Sequence, residues 1–142
     1  MAAIIDTNIL LYAVNADAEE HRMAADFLRQ AVRSADQWYV TEGILYEFLR
    51  VSTHPKVFEK PLSWKASLQF LHSFLHSPSF RILAAEETHW SLMEEVLSKL
   101  IHPAGNLFFD IRTVVLMHEH GVREIYTMDT DFMQFPGIKV IN

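Results

Sequence analysis

Acidic residues follow apolar runs near both ends of this 142-residue chain. Asp6 comes directly after "AAII", and Asp129 lies just beyond "EIYT", in a stretch "YTMDTDF" that also holds Asp131. Two more acids, Glu47 and Asp110, fall in segments with helical periodicity. Carboxylates that converge repel one another, so a cluster of them needs protons or cations. If these segments meet, the residues predict a cation site.

The available donors favour a hard divalent ion. The chain has no cysteine, which excludes a disulfide framework, a thiolate nucleophile and a Cys-ligated zinc site. Carboxylate oxygens are hard ligands that suit Mg²⁺ or Mn²⁺. Such an ion can activate water and stabilise the charge that builds up on a phosphodiester. Each acid by itself also has an ordinary explanation, because Asp is common where strands end and helices begin.

Apolar runs alternate with helix-period segments, which predicts an α/β domain occupying residues 1–142. Strands separated by helices imply right-handed crossovers and a parallel sheet. The predicted strands are 2–5, 38–40, 80–85, "EIYT" and "IKVI". The predicted helices begin near Asn8 and cover Glu19–Ala35, Glu42–Thr53, the segment between Pro61 and Pro78, Thr88–Ile101 and Asp110–His120.

The parallel sheet brings the acids toward one another. Ligand sites in such sheets lie beyond the carboxyl ends of the strands, where Asp6 and Asp129 are expected. Glu47 falls on the flank of the inward face of a helix that Thr41 caps, and Asp110 falls in the first turn of the last predicted helix. We therefore expect all four acids at one edge of the sheet.

Charge and hydropathy restrict the classes of partner. The formal net charge is −6, which counts weakly against a nucleic-acid ligand unless a local basic rim, a metal or a basic partner offsets it. No signal peptide or membrane-spanning run is apparent, so a cytoplasmic location is expected.

Most aromatic and methionine residues are expected in the core. Trp64, Leu68, Leu71 and Leu75 share one predicted helix face. The apolar run 107–109 is also expected in the core, with packing against a partner protein as the alternative.

Three segments carry a family resemblance that covers nearly the whole chain. They are "IIDTNILLYAVN", "TEGILYEFLRVSTHPKVFEKPLS" and "NLFFDIRTVVLMHEHGVREIYTMDTDFMQFPG". Their order and spacing resemble the PIN-domain ribonucleases and, within them, the VapC-type toxins of bacterial toxin–antitoxin pairs. One departure is Asp110-Ile111-Arg112, where an Asp-Ala pair followed by small residues is usual.

The resemblance implies an α/β/α sandwich of three layers around a parallel sheet, usually dimeric. It also implies a Mg²⁺- or Mn²⁺-dependent RNA endonuclease that a cognate antitoxin inhibits by filling the active-site groove. By the same resemblance, the acidic quartet comprises Asp6, Glu47, Asp110 and Asp129.

The resemblance also suggests roles for individual side chains. Asp6, Asp110 and Asp129 are expected to hold the metal, with Glu47 as a further ligand or as the group that orients the attacking water. Asn8, Thr127 and Asp131 are expected to line the same pocket, and Asp131 alternatively caps the following turn. Arg50 and Arg112 are candidates to contact RNA phosphate, or else ordinary exposed arginines.

Three other functions fit parts of the sequence. A metal-independent nuclease could use the pairs His72 and His76 or His118 and His120. A catalytically silent PIN domain would only bind RNA or a protein. A receiver-like domain would accept a phosphoryl group on one of its strand-end aspartates, although no strand ends in a lysine suited to that reaction.

Overall fold

The computed structural model describes all residues, 1–142, as a parallel sheet with helices on both faces. The strands are β1 (Ala2–Ile5), β2 (Gln37–Thr41), β3 (Phe80–Leu83), β4 (Glu124–Tyr126) and β5 (Lys139–Ile141). The helices are α1 (Thr7–Val14), α2 (His21–Arg33), α3 (Glu42–Ser52), α4 (Trp64–Leu75), α5 (His89–Ser98) and α6 (Leu107–Glu119), and a 3₁₀ helix covers Thr130–Gln134.

The sheet has the strand order β3-β2-β1-β4-β5, and every neighbouring pair is parallel. The chain first moves outward from β1 through β2 to β3, and then crosses back to β4 on the other side of β1. Right-handed crossovers in the two directions place α1–α4 on one face and α5–α6 on the other. The predicted three-layer α/β/α fold is confirmed.

Burial explains why the first strand reads as a continuous apolar run. Ala3, Ile4 and Ile5 are completely buried, because helices cover both faces of the central strands. The core around them joins all three layers, with Phe48 from α3 and Val114 from α6 also completely buried. None of the helices is long and apolar enough to cross a lipid bilayer.

Capping residues set the starts of three helices. Asp6 accepts a hydrogen bond from the backbone of Thr7 at the start of α1. The Thr41 and Ser63 hydroxyls accept bonds from the third backbone N–H of α3 and α4, respectively. This is how an N-cap satisfies one of the free donors of a helix. The predicted starts of α3 and α4 therefore follow from local chemistry.

Several sequence-based expectations need correction. The last long helix begins at Leu107 rather than Asp110, and β3 ends at Leu83 rather than at residue 85. The buried face of α4 is formed by Ser67, Leu71 and Phe74. Trp64 is 66% exposed, so the predicted apolar face is rotated. The buried pair Ser52 and Ser67, with hydroxyl oxygens 2.6 Å apart, explains the rotation, because a polar contact joins α3 to α4.

A buried acid fixes the orientation of α6. The Glu119 side chain is inaccessible to solvent; it accepts a hydrogen bond of 2.8 Å from the Thr88 hydroxyl and lies 3.1 Å from Nδ1 of His89. Burial by itself would raise the pKa of Glu119, but hydrogen bonds from the Glu86 backbone, Thr88 and His89 outweigh it and lower the pKa. The ionised carboxylate ties the end of α6 to the start of α5. The other end of α6 carries Asp110.

The core contact of α3 is expected to dominate its stability. Phe48→Ala removes a completely buried ring and should lower the free energy of unfolding by about 3–5 kcal/mol. Tyr46→Ala, on the same helix but 71% exposed, should change it by less than about 0.5 kcal/mol. Urea denaturation of the two variants measures the contrast, and equal losses would contradict this assignment of the core face.

Candidate active site

The carboxyl ends of β1 and β4 meet where the strand order reverses. β1 and β4 are neighbours, yet the connections from β1 and to β4 lie on opposite faces of the sheet. Such a reversal opens a crevice in which α/β proteins place their ligands. Asp6 follows β1 and Thr127 follows β4, and the Asp6 N–H donates to the Tyr126 carbonyl at 3.0 Å. The backbone therefore fixes the relative positions of these two segments.

Asp6 is held by two hydrogen bonds. Its Oδ1 accepts from the Thr7 backbone at 2.8 Å, and its Oδ2 accepts from the Thr127 hydroxyl at 2.7 Å. A carboxylate has about four lone-pair positions, so each oxygen keeps one for water or a cation. Asp6 thus caps α1 and faces the crevice with the same side chain.

Thr127 is the hub of a polar network that joins the two ends of the chain. Its hydroxyl is completely buried, donates to Asp6, and accepts from Asn8 Nδ2 and from the Asp129 backbone, both at 3.0 Å. The Asn8 amide oxygen also lies 3.4 Å from the Met128 backbone nitrogen. These contacts orient the loop that carries Asp129. They place the predicted pocket residues Asn8 and Thr127 beside Asp6.

Three aspartates come together on the opposite side of this network. One carboxylate oxygen from each of Asp110, Asp129 and Asp131 lies within 4.8 Å of the other two. Asp129 also accepts a hydrogen bond of 2.9 Å from the Asp131 backbone, so Asp129 caps the 3₁₀ helix and the alternative capping role for Asp131 is wrong. The tightest group therefore includes Asp131, which the sequence places only among the auxiliary residues.

The acids line one cleft of about 640 Å³. Glu47 lies on its α3 wall and Asp110 on its α6 wall, while Asp129 caps the 3₁₀ helix and Asp131 lies in the first turn of that helix. Asp6 lines a smaller inner chamber of about 30 Å³, which Glu47 and Asp110 share. The structure thus brings the four acids of the predicted quartet to one place. Their catalytic roles stay a prediction.

Crowding and burial raise the pKa of two of these carboxyls. Burial, opposed by the bonds from Thr127 and Thr7, raises the pKa of Asp6 to about 6, with repulsion from Glu47 and Asp129 adding to it. Burial followed by repulsion from neighbouring acids, Asp6 foremost, raises the pKa of Asp110 to about 7. A bound cation would relieve both effects because it offsets the negative charge.

Thr7 adds a donor that the sequence analysis missed. It lines the inner chamber and is 3% exposed, and its hydroxyl has no hydrogen-bond partner within the protein. Buried polar groups almost always have a partner, which is often an ordered water. An unpaired hydroxyl beside Asp6, Glu47 and Asp110 fits a site that holds an ion and its waters. The donor set of oxygens alone fits Mg²⁺ or Mn²⁺.

Two arginines also line the cleft. Arg50 lies on the α3 wall and Arg112 on the α6 wall, and neither forms an ion pair with an acid. A Cβ atom at Gly43 would lie 3.2 Å from the Arg112 guanidinium, so glycine leaves room for this side chain at the start of α3. The two guanidinium groups are therefore available to an anionic ligand.

Two aromatic side chains flank the acids, which corrects one expectation. Phe109 is 68% exposed and lines the cleft, and Phe108 is 42% exposed, so the expected core burial of this apolar run is wrong for both. They lie in the first turn of α6, where Leu107 alone packs against the core and the first fully buried residue is Ile111. Tyr46, 71% exposed, stands on the opposite wall. Composition alone predicts that Phe108 and Phe109 are buried. Their position in the first turn of α6 exposes them instead.

No histidine lines the carboxylate cleft or its inner chamber. His72 and His76 are exposed on α4 with ring centroids 5.3 Å apart, and His120 hydrogen-bonds the Ala84 carbonyl. The histidine-based alternative therefore has no residues at this site.

Without a divalent ion, the protein should lose stability as the pH rises. Asp carboxyls in an unfolded chain have a pKa near 3.9, whereas the pKa is raised to about 6 for Asp6 and to about 7 for Asp110. Between these limits the native state binds more protons, so their contribution is fully present below about pH 4 and is lost by about pH 7. Asp110→Asn should flatten this decline, as measured by melting temperature in EDTA across that range.

Magnesium provides the matched measurement. At neutral pH, Mg²⁺ should raise the melting temperature of the wild type more than that of Asp110→Asn, because a ligand that binds only the folded state stabilises it. An equal rise in both proteins, or an unchanged decline in the variant, would contradict the account.

The chain matches the PIN domain model over residues 3–138. It is 26% identical over 140 residues to ribonuclease VapC48 of Mycobacterium tuberculosis, covering 99% of this chain and 96% of the relative. It is 34% identical over 134 residues to ribonuclease VapC24 of the same species, covering 90% and 89% of the two chains.

A solved structure has the same fold. VapBC2 from Rickettsia felis, bound to a DNA fragment from its promoter, aligns with a TM-score of 0.70 and 17% identity, covering all of this chain and 98% of that one. The parallel sheet, the acidic crevice at its switch point and these likenesses agree, and the receiver-like alternative is excluded. The chain belongs to the PIN domain family, and its homologues are VapC ribonucleases.

Proposed function

We propose that this protein is a Mg²⁺- or Mn²⁺-dependent RNA endonuclease that acts in the cytoplasm as the toxin of a toxin–antitoxin pair. The observation that carries the proposal is the convergence of carboxylates from four separate segments on an open cleft and the small chamber that shares its lining. Three of their oxygens lie within 4.8 Å of one another, a spacing that a divalent ion can bridge. The names of the relatives, ribonucleases VapC48 and VapC24, support RNA as the substrate.

Asp6, Asp110 and Asp129 are the residues that would hold the ion, and Asp131 is near enough to contribute a further oxygen. When bound, the ion supplies an activated water and offsets the charge that develops on the phosphodiester. Glu47, on the facing wall, either binds the ion or orients that water.

The remaining side chains hold these groups in position. Thr127 fixes Asp6 through its hydroxyl and Asp129 through its backbone, and Asn8 holds Thr127 in turn. Partners of this kind, one shell away from a metal, typically affect its affinity strongly. Arg50 and Arg112 would bind phosphate groups on either side of the acids, because neither has an ion-pair partner in the protein.

This arrangement explains how an acidic protein can bind RNA. The net charge of −6 repels a polyanion on average. A divalent ion would offset the carboxylates at the centre of the cleft, and the two arginines would supply local positive charge at its walls. The ion should therefore be required for RNA binding as well as for cleavage.

The proposed partner is a cognate antitoxin that covers the cleft. VapBC2 was crystallised with a DNA fragment from its promoter. As the family resemblance implies, the antitoxin would fill the active-site groove between α3 and α6 and exclude RNA. The toxin is further proposed to form a homodimer or a toxin–antitoxin hetero-oligomer.

Removing Asp6 should abolish cleavage without unfolding the protein. Asp6→Ala should lower the rate of RNA cleavage by about 10²–10³-fold, as expected for loss of one group that stabilises the transition state. Asp17→Asn, an exposed acid outside the cleft, is the matched control and should cleave like the wild type. Cleavage of a labelled RNA in Mg²⁺ and in EDTA measures both effects.

The product ends separate this chemistry from that of a histidine-based nuclease. Attack by water leaves a 5′-phosphate and a 3′-hydroxyl, and does not need the ribose 2′-hydroxyl. Mapping of RNA ends in cells after induction, beside Asp6→Ala, also identifies the RNA that is cut. Cleavage that survives EDTA, or binding of RNA with no turnover in any divalent ion, would refute the proposal.

Thr127 provides a test of positioning rather than of direct chemistry. Thr127→Val removes the hydroxyl that holds Asp6 and should weaken the apparent Mg²⁺ affinity by about 10–100-fold. Thr127→Ser keeps the hydroxyl and should restore most of that affinity. Mg²⁺ titration of the cleavage rate gives the comparison, and equal affinities for Val and Ser would show that the hydrogen bond has no such role.

A further inference from the structure

Two exposed aromatic rings face the carboxylate cleft and have no role in holding the acids. Tyr46 is 71% exposed and Phe109 is 68% exposed, and both line the cleft together with Asp110 and Asp129. Each precedes one of the wall acids in the sequence, Glu47 or Asp110. The chain therefore keeps a large apolar surface in water beside its cluster of carboxylates.

The two walls repeat the same order of chemical groups. On α3, Tyr46 and Arg50 are four residues apart, with Glu47 between them. On α6, Phe109 and Arg112 are three residues apart, with Asp110 between them. Residues three or four apart are neighbours on one helix face.

Each wall thus presents a ring, a carboxylate and a guanidinium to the same space. Gly43 keeps this arrangement open on the α6 side, because a Cβ there would press on the Arg112 guanidinium.

These three groups match the three parts of a nucleic-acid backbone. A ring offers a flat face to a base, a guanidinium binds a phosphate, and the carboxylates hold the ion beside the bond to be cut. The cleft volume of about 640 Å³ is on the scale of a small-ligand site, which is room for a few nucleotides of a single strand.

We propose that Tyr46 and Phe109 are base-stacking platforms on the two sides of the scissile phosphate. They would thereby restrict the enzyme to RNA whose nucleotides at the cut are unpaired and unstacked. The inference rests on the proposed ribonuclease function and adds the residues that select its substrate. Stacking of this kind tolerates any base sequence, because every base has a flat face. Sequence preference must therefore come from other contacts.

An apolar face of a partner protein fits this surface less well. The rings stand on opposite walls with the acids between them, so an apolar helix seated on both would also bury the carboxylates. Burial of charge without compensation is costly. A strand of RNA separates its bases from its phosphates, and so it meets the rings and the charged centre with different groups.

Binding is measured first, with a fluorescein-labelled single-stranded RNA of mixed sequence and the same RNA annealed to its complement. The protein is Asp6→Asn, which slows cleavage so that the probe stays intact, while the oxygens of Asp110, Asp129 and Asp131 remain to bind Mg²⁺. Adding Tyr46→Ala or Phe109→Ala should weaken binding of the single strand by about 5- to 150-fold, as loss of one stacked base does. The weaker binding of the duplex should hardly change, so the preference for single strands should fall.

Matched variants separate stacking from other effects. Tyr46→Phe keeps the ring and should bind like its parent, whereas Tyr46→Leu keeps the apolar surface without the ring and should not. Trp90→Ala removes an equally exposed aromatic, 76% exposed on α5 and outside the cleft, and should have no effect. Melting temperatures should stay the same in all of them, because none of these side chains is buried.

Cleavage by proteins that retain Asp6 gives the second readout. Tyr46→Ala and Phe109→Ala should raise KM with little change in kcat, which is the pattern for loss of substrate binding rather than of chemistry. The inference would be overturned if these variants bind and cleave the single strand like the wild type. The same holds if they lose only the binding of a protein partner. Absence of cleavage by the wild type would refute the proposed function, and the binding measurements would still decide the role of the rings.

Discussion

Mutual repulsion among carboxylates is the constraint on which the rest of this structure depends. The fold brings Asp6, Glu47, Asp110 and Asp129 to one crevice, although each would be more stable apart from the others. Burial, together with the neighbouring charges, raises the pKa of Asp6 to about 6. Without a cation, protons therefore relieve part of the repulsion. The core must supply the free energy that holds these side chains together.

The surrounding structure meets this demand by giving single residues two tasks. Asp6 caps α1 and faces the crevice, and Asp129 caps the 3₁₀ helix and faces it from the other side. Thr127 is completely buried and joins both through one hydroxyl. At the far end of α6, Glu119 locks the helix that carries Asp110. The Asp6 and Asp129 carboxylates cannot separate without breaking helix caps and the hydrogen bonds of Thr127.

The charge distribution shows why whole-molecule averages are poor guides to function. A net charge of −6 argues against a nucleic-acid ligand only if the charge is spread evenly. Here several acids line one cleft, where a bound divalent ion would offset their charge, and Arg50 and Arg112 line the same cleft. The same cleft exposes Tyr46 and Phe109, so polar and apolar contacts with a nucleic acid are available side by side.

The sequence by itself determined the alternation of strands and helices, because apolar runs and helical periodicity are local properties. It also determined which helices begin at Thr41 and Ser63, since a cap depends on only a few neighbouring atoms. The four acids at strand ends and helix flanks could be named in advance for the same reason. The resemblance of the chain to the PIN-domain ribonucleases added the expectation of a metal-dependent nuclease.

Only the tertiary structure decided which groups touch. It brought Asp131 into the tightest group of aspartates, left the Thr7 hydroxyl without a partner, and exposed Phe109 where composition predicts burial. The position of the loop that carries Asp129 and Asp131 depends on contacts between distant segments, such as that of Asp6 with Thr127. The exposure of Phe109 depends on where its helix starts, which sets the direction of each side chain. Local pattern does not fix which side chains are buried or close to one another, because burial and proximity arise only when the layers pack.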